Sequence, residues 1–440
     1  MKILTLLTMA WLAISSNGHY LQTEDGKPFF WLGNTAWLMP QKLTREGVDL
    51  YLDACKNAGY NVVQVQVADD IPSVNVYGNK SGTQEYWDLV DYIVGAAADN
   101  GIYVAMVCIW GKPVKQGKMD EGLAAAYGNF LASRYKDKPN IVWVLGGDVR
   151  GDVKPAVWEV LGKAIKAVDS RHLMTFHPFG RTSSLQWWND SDWLDFNMFQ
   201  SGHRCYDQKF ADADDVRSGE FEDNWRYVQQ SWKASPVRPV LDGEPSYEDI
   251  PYGLHDGTRP RWQAADCRRY AWWSALEGAC GHTYGHNSIM QFYTGKGDGA
   301  YFVNKTWQEA LKDPGFNQMK YLRALMECFS SPDRVSAQDV LLGNGERYGR
   351  IAAIRDKDFL VAYTYTNSSI RVDLSSISGQ RKQAWWYSPS DGKLEFAGEY
   401  RDQVASFKHG GPEGPGCDHV LIIVDWKSSS KVTPLKRIRL

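Results

Sequence analysis

Two acids in this chain stand where carboxylates do bond-breaking chemistry. Glu244 closes the run Val240-Leu241-Asp242-Gly243-Glu244-Pro245, and Asp148 closes Ile141-Val142-Trp143-Val144-Leu145-Gly146-Gly147-Asp148. Each run is a short apolar strand delivering an acid at its C-terminal end, the end at which barrel enzymes hold their reactive groups. Two carboxylates flanking a glycosidic bond are what glycoside hydrolysis needs. A gap of about 5–5.5 Å suits a nucleophile and an acid/base, with retention; about 6.5–9.5 Å leaves room for an activated water, with inversion. Strand alternation puts Asp242 and Glu244 on one face with Gly243 opposite. Glu244 is then nearest the mouth, and Asp242 is a hydrogen-bonded support one layer below. A strand-end acid is otherwise a turn or cap residue, but Glu244 precedes a proline and has nothing obvious to cap.

The other strand ends supply candidate substrate contacts: Trp37, Gln66, Trp110, His177, Gln200, His203 and Tyr284. An indole can stack on a sugar face or pack the barrel mouth. An imidazole can bind a hydroxyl, orient a carboxylate or be a satisfied structural group. His282 and His286 lie four apart on a strand, about 13 Å, too far for one ion, and no helical H-E-x-x-H is present. Asp212, Asp214 and Asp215 lack the glycine and distal Glu of a calcium loop and read as a solvated loop. Neither a G-x-S-x-G elbow nor a P-loop occurs. No metal or cofactor is expected.

The elements that must position these residues alternate. Strand-like runs cover 29–37, 61–67, 102–110, 141–148, 173–177, 194–200, 240–244 and 281–284. Between them lie a helix from Thr44 to near Gly59 and helices over 84–98, 120–135, 155–168, 221–232 and 261–277, with a last one over 316–328. Eight strands alternating with helices or long loops predict an α/β fold, a (β/α)8 TIM barrel. An open doubly wound sheet would carry a Gly-rich phosphate turn after its first strand, and Gly33-Asn34-Thr35 lacks that spacing. From about Ser331 short strands separated by Asn-Ser, Ser-Gly and Asp-Gly turns predict a small antiparallel β-sandwich. The expected divisions are a leader at 1–17, a barrel at 18–330, a sandwich at 331–427 and a polar tail at 428–440.

Composition narrows the partners. Net charge is −3 over 440 residues, so no basic field is available for a nucleic-acid backbone. With 19 Trp and 23 Tyr, the chain suits an oligo- or polysaccharide partner. Lys2, the apolar stretch Ile3 to Ile14 and small residues at Ala13 and Ser15 read as a cleavable leader, too short for a stable membrane span. The expectation is an exported protein, periplasmic or extracellular. Seven scattered cysteines form no disulfide framework.

The motifs D-G-K-P-F-F-W-L-G-N-T-A-W, W-V-L-G-G-D and V-L-D-G-E-P-S-Y-E resemble the apiosidase-like glycoside hydrolases, family 140, and the C-terminal strands resemble the collagen-binding-type sandwich that accompanies them. The likeness spans the chain beyond the leader. It implies Asp148 as general acid/base, Glu244 as nucleophile, and apiose released from a plant cell-wall side chain by an exo-acting, retaining enzyme. The wider clan of retaining barrel glycosidases carries Asn-Glu on the fourth strand where this chain has Gly147-Asp148, so another residue must bind the sugar 2-hydroxyl. The competing expectations are a non-catalytic carbohydrate-binding or adhesion protein on a barrel scaffold, and a barrel glycosidase for a different sugar.

Overall fold

The structure is a computed structural model that describes residues 9–68, 83–209, 221–297 and 299–437; the acidic loop at Asp212, Asp214 and Asp215 lies outside these. Three short strands, β1 (Leu12–Ile14), β2 (Leu21–Thr23) and β3 (Pro28–Phe29), form an antiparallel sheet. Leu12, Tyr20 and Leu21 pack with interior barrel residues such as Trp31 and Val62. Thus β1, inside the stretch expected as a leader, is part of the folded domain. Trp11 beside it lies 3.9 Å from the Arg171 guanidinium and 4.6 Å from the His172 ring.

The barrel strands are β4 (Trp31–Thr35), β5 (Val62–Gln66), β6 (Tyr103–Val107), β7 (Ile141–Val149), β8 (Met174–Pro178), β10 (Asn197–Gln200), β11 (Val240–Asp242) and β12 (Gly281–Tyr284). A two-residue strand, β9 (Thr182–Ser183), runs antiparallel on β10. The ladder order is β8-β7-β6-β5-β4-β12-β11-β10-β9, with the eight barrel strands parallel. It closes between β8 and β10, where Asp195 N–H donates to Met174 O at 2.8 Å and Thr175 Oγ1 to Phe196 O at 2.7 Å. The alternation of side chains is plain. Val62, Ala105, Val142, Val144, Met198 and Leu241 pack inside, while Val63, Met106, Trp143 and Leu145 belong to the layer shared with the helices. Burial on both faces explains why the strands read as continuous apolar runs. Among the helices, Arg45–Asn57 starts where Thr44 accepts the Gly47 N–H, and Pro155–Val168 begins with proline, where a missing N–H costs nothing.

Strand parity corrects one detail. Val240 packs outward with Tyr227 and Val228, and Leu241 inward. Asp242 therefore points outward, where its Oδ2 accepts from Ser201 Oγ at 2.7 Å and Asn224 Nδ2 at 2.9 Å. It is buried support, as expected, but lies between sheet and helices rather than beneath the mouth. β11 ends at Asp242, so Glu244, in the bend beyond, is free to turn inward.

The C-terminal domain has β13 (Val335–Ser336), β14 (Ile351–Asp356), β15 (Phe359–Thr364), β16 (Ile370–Asp373), β17 (Lys382–Tyr387), β18 (Leu394–Tyr400), β19 (Val404–Phe407) and β20 (His419–Asp425). One sheet runs β13-β14-β15-β20-β17-β18 and a second pairs β16 with β19, all antiparallel around a core of Leu360, Ile370, Val372, Leu421 and Ile423. The stretch expected as a polar tail is instead mostly a 3-10 helix, Trp426–Arg437. Val432 and Leu435, three residues apart and hence on one side of such a helix, are both buried.

The helix Ala264–Glu277 lies between barrel and sandwich, and every residue from Asp266 to Glu277 is buried. Its charges are therefore paired: Arg268 with Asp418 at 2.7 Å, Arg269 with Glu222 at 2.5 Å, and Glu277 with Arg350 at 2.7 Å. Among the described residues, no helix is long and apolar enough to cross a membrane, and all seven cysteines are free thiols.

Candidate active site

At the C-terminal mouth of the barrel a cavity of about 830 Å³ is lined by both Asp148 and Glu244, with Trp37, Trp110, Gln200 and His203 around them. How each acid arrives there is a matter of backbone. On β8, His177 and Pro178 are consecutive, but their partners on β7 are Gly146 and Val149. Gly147 and Asp148 are thus extra residues in a bulge, the device that re-aims a side chain at a barrel rim. Gly146 has φ +83° and Gly147 +107°, and a Cβ would lie 2.3 Å from His177 O at the first and 2.8 Å from Trp110 Cε3 at the second. Asp148 itself sits at φ 52°, a left-handed conformation that aspartate tolerates better than most residues. The Gly-Gly-Asp motif is therefore the sequence of the bulge.

Glu244 is fixed by an extension of the parallel ladder: Gly243 N–H donates to Phe199 O at 2.9 Å and Gly202 N–H to Glu244 O at 3.0 Å. Its carboxylate meets two imidazoles, with His203 Nε2 3.1 Å from Oε1 and His177 Nε2 3.0 Å from Oε2. Both rings are oriented by their other nitrogen. His203 Nδ1 accepts the Tyr247 N–H at 3.3 Å, and His177 Nδ1 accepts the Asp148 N–H at 3.4 Å. Each Nδ1 acts as an acceptor; His203 Nε2 then carries the proton and donates it to Glu244, while His177 Nε2 faces Oε2 as a close electrostatic contact without a hydrogen bond. The bulge that carries one acid thereby also orients a partner of the other.

The electrostatics separate the two carboxyls. Burial alone would raise Glu244, but His177 and His203 reverse this and hold it down to about 2. Asp148 moves up, through burial first and then the negative charge of Glu244. Its side chain opens onto the cavity yet is closely ringed by protein. Asp242 is pushed up to about 7 by burial, against the bonds from Asn224 and Ser201. One carboxylate held ionised beside another biased toward the acid form is the pattern of divided acid and nucleophile roles.

Of the expected contacts, Trp37, Trp110, Gln200 and His203 line the cavity, and His177 lies fully buried against Glu244. Trp37 packs edge-on to both Trp110 and His177, each with ring centroids 5.3 Å apart. Gln200 Oε1 is buried and has no donor among the described residues. Two expected contacts are corrected. Gln66 does not line the cavity; its amide is turned onto Ala68 O at 3.3 Å. Tyr284 falls on the outward parity of β12, where its hydroxyl donates to the buried Glu248. His282 shares the outward parity of Tyr284 and is buried with no partner for either ring nitrogen among the described residues, and His286, beyond the strand, bonds Asp313 at 2.8 Å.

Sequence reading missed Phe179, Arg181, Tyr247 and Tyr301, which also line the cavity. Arg181 donates to Gly202 O at 3.1 Å, and Tyr247 packs edge-on to His203. These residues lie in loops outside the strands, Phe179 directly after β8 and Arg181 directly before β9, so strand periodicity gives no signal for them. The positions just after His177 and Glu244 were the available hint.

The family model "Apiosidase-like, catalytic domain" matches residues 15–331, and the model "Putative collagen-binding domain of a collagenase" matches residues 335–424. A solved structure named "Glycoside hydrolase" is similar at 52% identity and TM-score 0.91, over 95% of this chain and 97% of its own. A glycoside hydrolase family 5 from Bacteroides vulgatus is similar at 51% identity and TM-score 0.89, over 95% of each chain. No curated protein matches.

Proposed function

The chain belongs to the apiosidase-like glycoside hydrolases, and on that premise we propose that it is a retaining, exo-acting glycosidase that removes apiose or a related sugar from plant cell-wall side chains. The observation that carries this reading is the shared cavity in which Glu244 is held ionised by two imidazoles while the Asp148 carboxyl is raised. Asp148 gives its proton to the leaving oxygen as Glu244 attacks the anomeric carbon, forming a glycosyl ester and freeing the rest of the saccharide. Asp148, now a carboxylate, takes a proton from water, which attacks the same carbon and returns Glu244 as a carboxylate. Two inversions give net retention. Gln200, which lines the cavity, is the candidate to bind a ring hydroxyl in place of the Asn that the fourth strand lacks.

Incubation with plant cell-wall oligosaccharides, with identification of the released monosaccharide and of the first-formed anomer by NMR, tests the reading. Released sugar in the retained configuration is expected; the inverted anomer, or no release from any oligosaccharide, contradicts it. Glu244→Gln and Asp148→Asn should each stay folded and lose turnover, the latter by about 10²–10⁴-fold, the worth of general acid–base assistance. Export to the periplasm or beyond is proposed on the leader-like sequence of residues 1–17 alone, with β1 part of the domain in the uncleaved chain. Cell fractionation checks this, and protein confined to the cytoplasm contradicts it.

A further inference from the structure

The carboxylate cavity does not end at its own rim. Leu254, His255 and Tyr301 line it and also line a neighbouring recess of about 360 Å³, completed by Gly299 and Phe302. Three non-glycine residues of this recess hold left-handed backbones: Leu254 at φ 74°, Tyr301 at 52° and Phe302 at 54°. For residues with bulky side chains this conformation is strained, and it persists only where the surroundings over-determine it. Here they do. Asn287 Nδ2 donates to Tyr301 O at 2.9 Å, Arg261 Nη2 to Phe302 O at 2.6 Å, and Gln291 bonds both the N–H and the carbonyl of Ala300.

The rings so placed are not core. Phe302 is 52% exposed, although it rests against Gly257, where a Cβ would come within 2.7 Å of it. Tyr301 is half-buried between the two spaces. Burial and then the charges of Glu244 and Asp148 raise its hydroxyl's pKa, in keeping with a position facing both acids. One exposed apolar side chain has no meaning by itself. A rigid aromatic edge continuous with a polar cavity does.

We propose that Phe302 and Tyr301 form a leaving-group subsite, a shelf on which the sugar unit beyond the cleaved bond stacks. The occupant is the remainder of the same saccharide, because the recess opens from the carboxylate cavity through three shared residues. This rests on the glycosidase reading above and adds where the uncleaved part of the substrate lies.

Affinity electrophoresis of Glu244→Gln protein in gels containing pectin, arabinoxylan or galactomannan tests the shelf without needing turnover. At least one polymer should retard the protein. Adding Phe302→Ala should raise the apparent Kd about three- to ten-fold, the scale of a ring-stacking contact, and Phe302→Trp should restore retardation. Retardation by none of the three polymers, or unchanged retardation of the Phe302→Ala protein, overturns the proposal. The two readings fail separately. Polymer binding lost in Phe302→Ala without sugar release by the wild-type enzyme contradicts the glycosidase mechanism alone. Sugar release with a Phe302→Ala protein that binds like its parent contradicts the shelf alone.

Discussion

Glu244 and Asp148 are the same kind of acid, distinguished by what surrounds them. The His203 hydrogen bond and the His177 ring 3.0 Å away hold Glu244 low, and the Glu244 charge helps lift Asp148. The pH dependence follows with a definite sign. Activity needs Glu244 ionised and Asp148 protonated. As pH rises through the elevated Asp148 pKa, kcat/KM should fall about tenfold per unit. On the acid side it falls only as pH drops toward about 2, where Glu244 takes up its proton. His203→Ala removes a lowering influence on Glu244, so the acid limb should move to higher pH; an unmoved limb contradicts the role given to His203. Glu244→Gln removes a charge that raises Asp148, so Asp148 should titrate lower, as followed by ¹³C NMR of the aspartate carboxyls. Both acids were legible in the sequence because each follows an apolar strand. The imidazoles were legible as strand-end residues, but their joint hold on Glu244 was not, since it depends on which nitrogen each backbone N–H engages.

At the scale of elements, the bulge in β7 decides the site. Gly147→Ala puts a Cβ 2.8 Å from the Trp110 ring at a backbone with φ +107°. A loss of about 1–3 kcal/mol is expected for such strain, read as a lowered denaturant midpoint with a fall in kcat as Asp148 shifts. Unchanged stability and rate would show that the bulge is not needed. All eight barrel strands and most helices could be read from apolar runs, caps and glycine stops. The bulge could not, because an inserted pair of residues looks like continued strand. Misplaced parity had the same origin: where β11 ends, and which way β12 faces, sent Asp242 and Tyr284 outward. The edge strands β18 and β19 carry little apolar signal because residues such as Glu395, Glu399 and Ser406 face solvent and dilute the apolar pattern.

Over the whole molecule, the sandwich braces the barrel. The helix Ala264–Glu277 is buried on all sides only because the sandwich covers it. A single carboxylate, Glu222, accepts the Tyr206 N–H from the loop that lines the cavity, the Arg269 guanidinium from that helix, and the Tyr348 hydroxyl from the C-terminal domain. Arg268→Ala leaves Asp418 buried without its cation, a loss of about 3–5 kcal/mol. The expected result is a clear drop in Tm; an unchanged Tm contradicts the bracing role. No sequence pattern revealed this junction, since buried charges on a helix look like surface charges until their partners are placed.

The division of labour between the two acids is tested most directly by azide rescue of Glu244→Ala and Asp148→Ala on an activated glycoside of the sugar released. With Glu244 as nucleophile, azide should restore turnover to Glu244→Ala and give a glycosyl azide of configuration opposite to the wild-type product. With Asp148 as acid/base, azide should restore Asp148→Ala and give the retained configuration. The same configuration from both variants, or full activity of either without azide, would contradict the account.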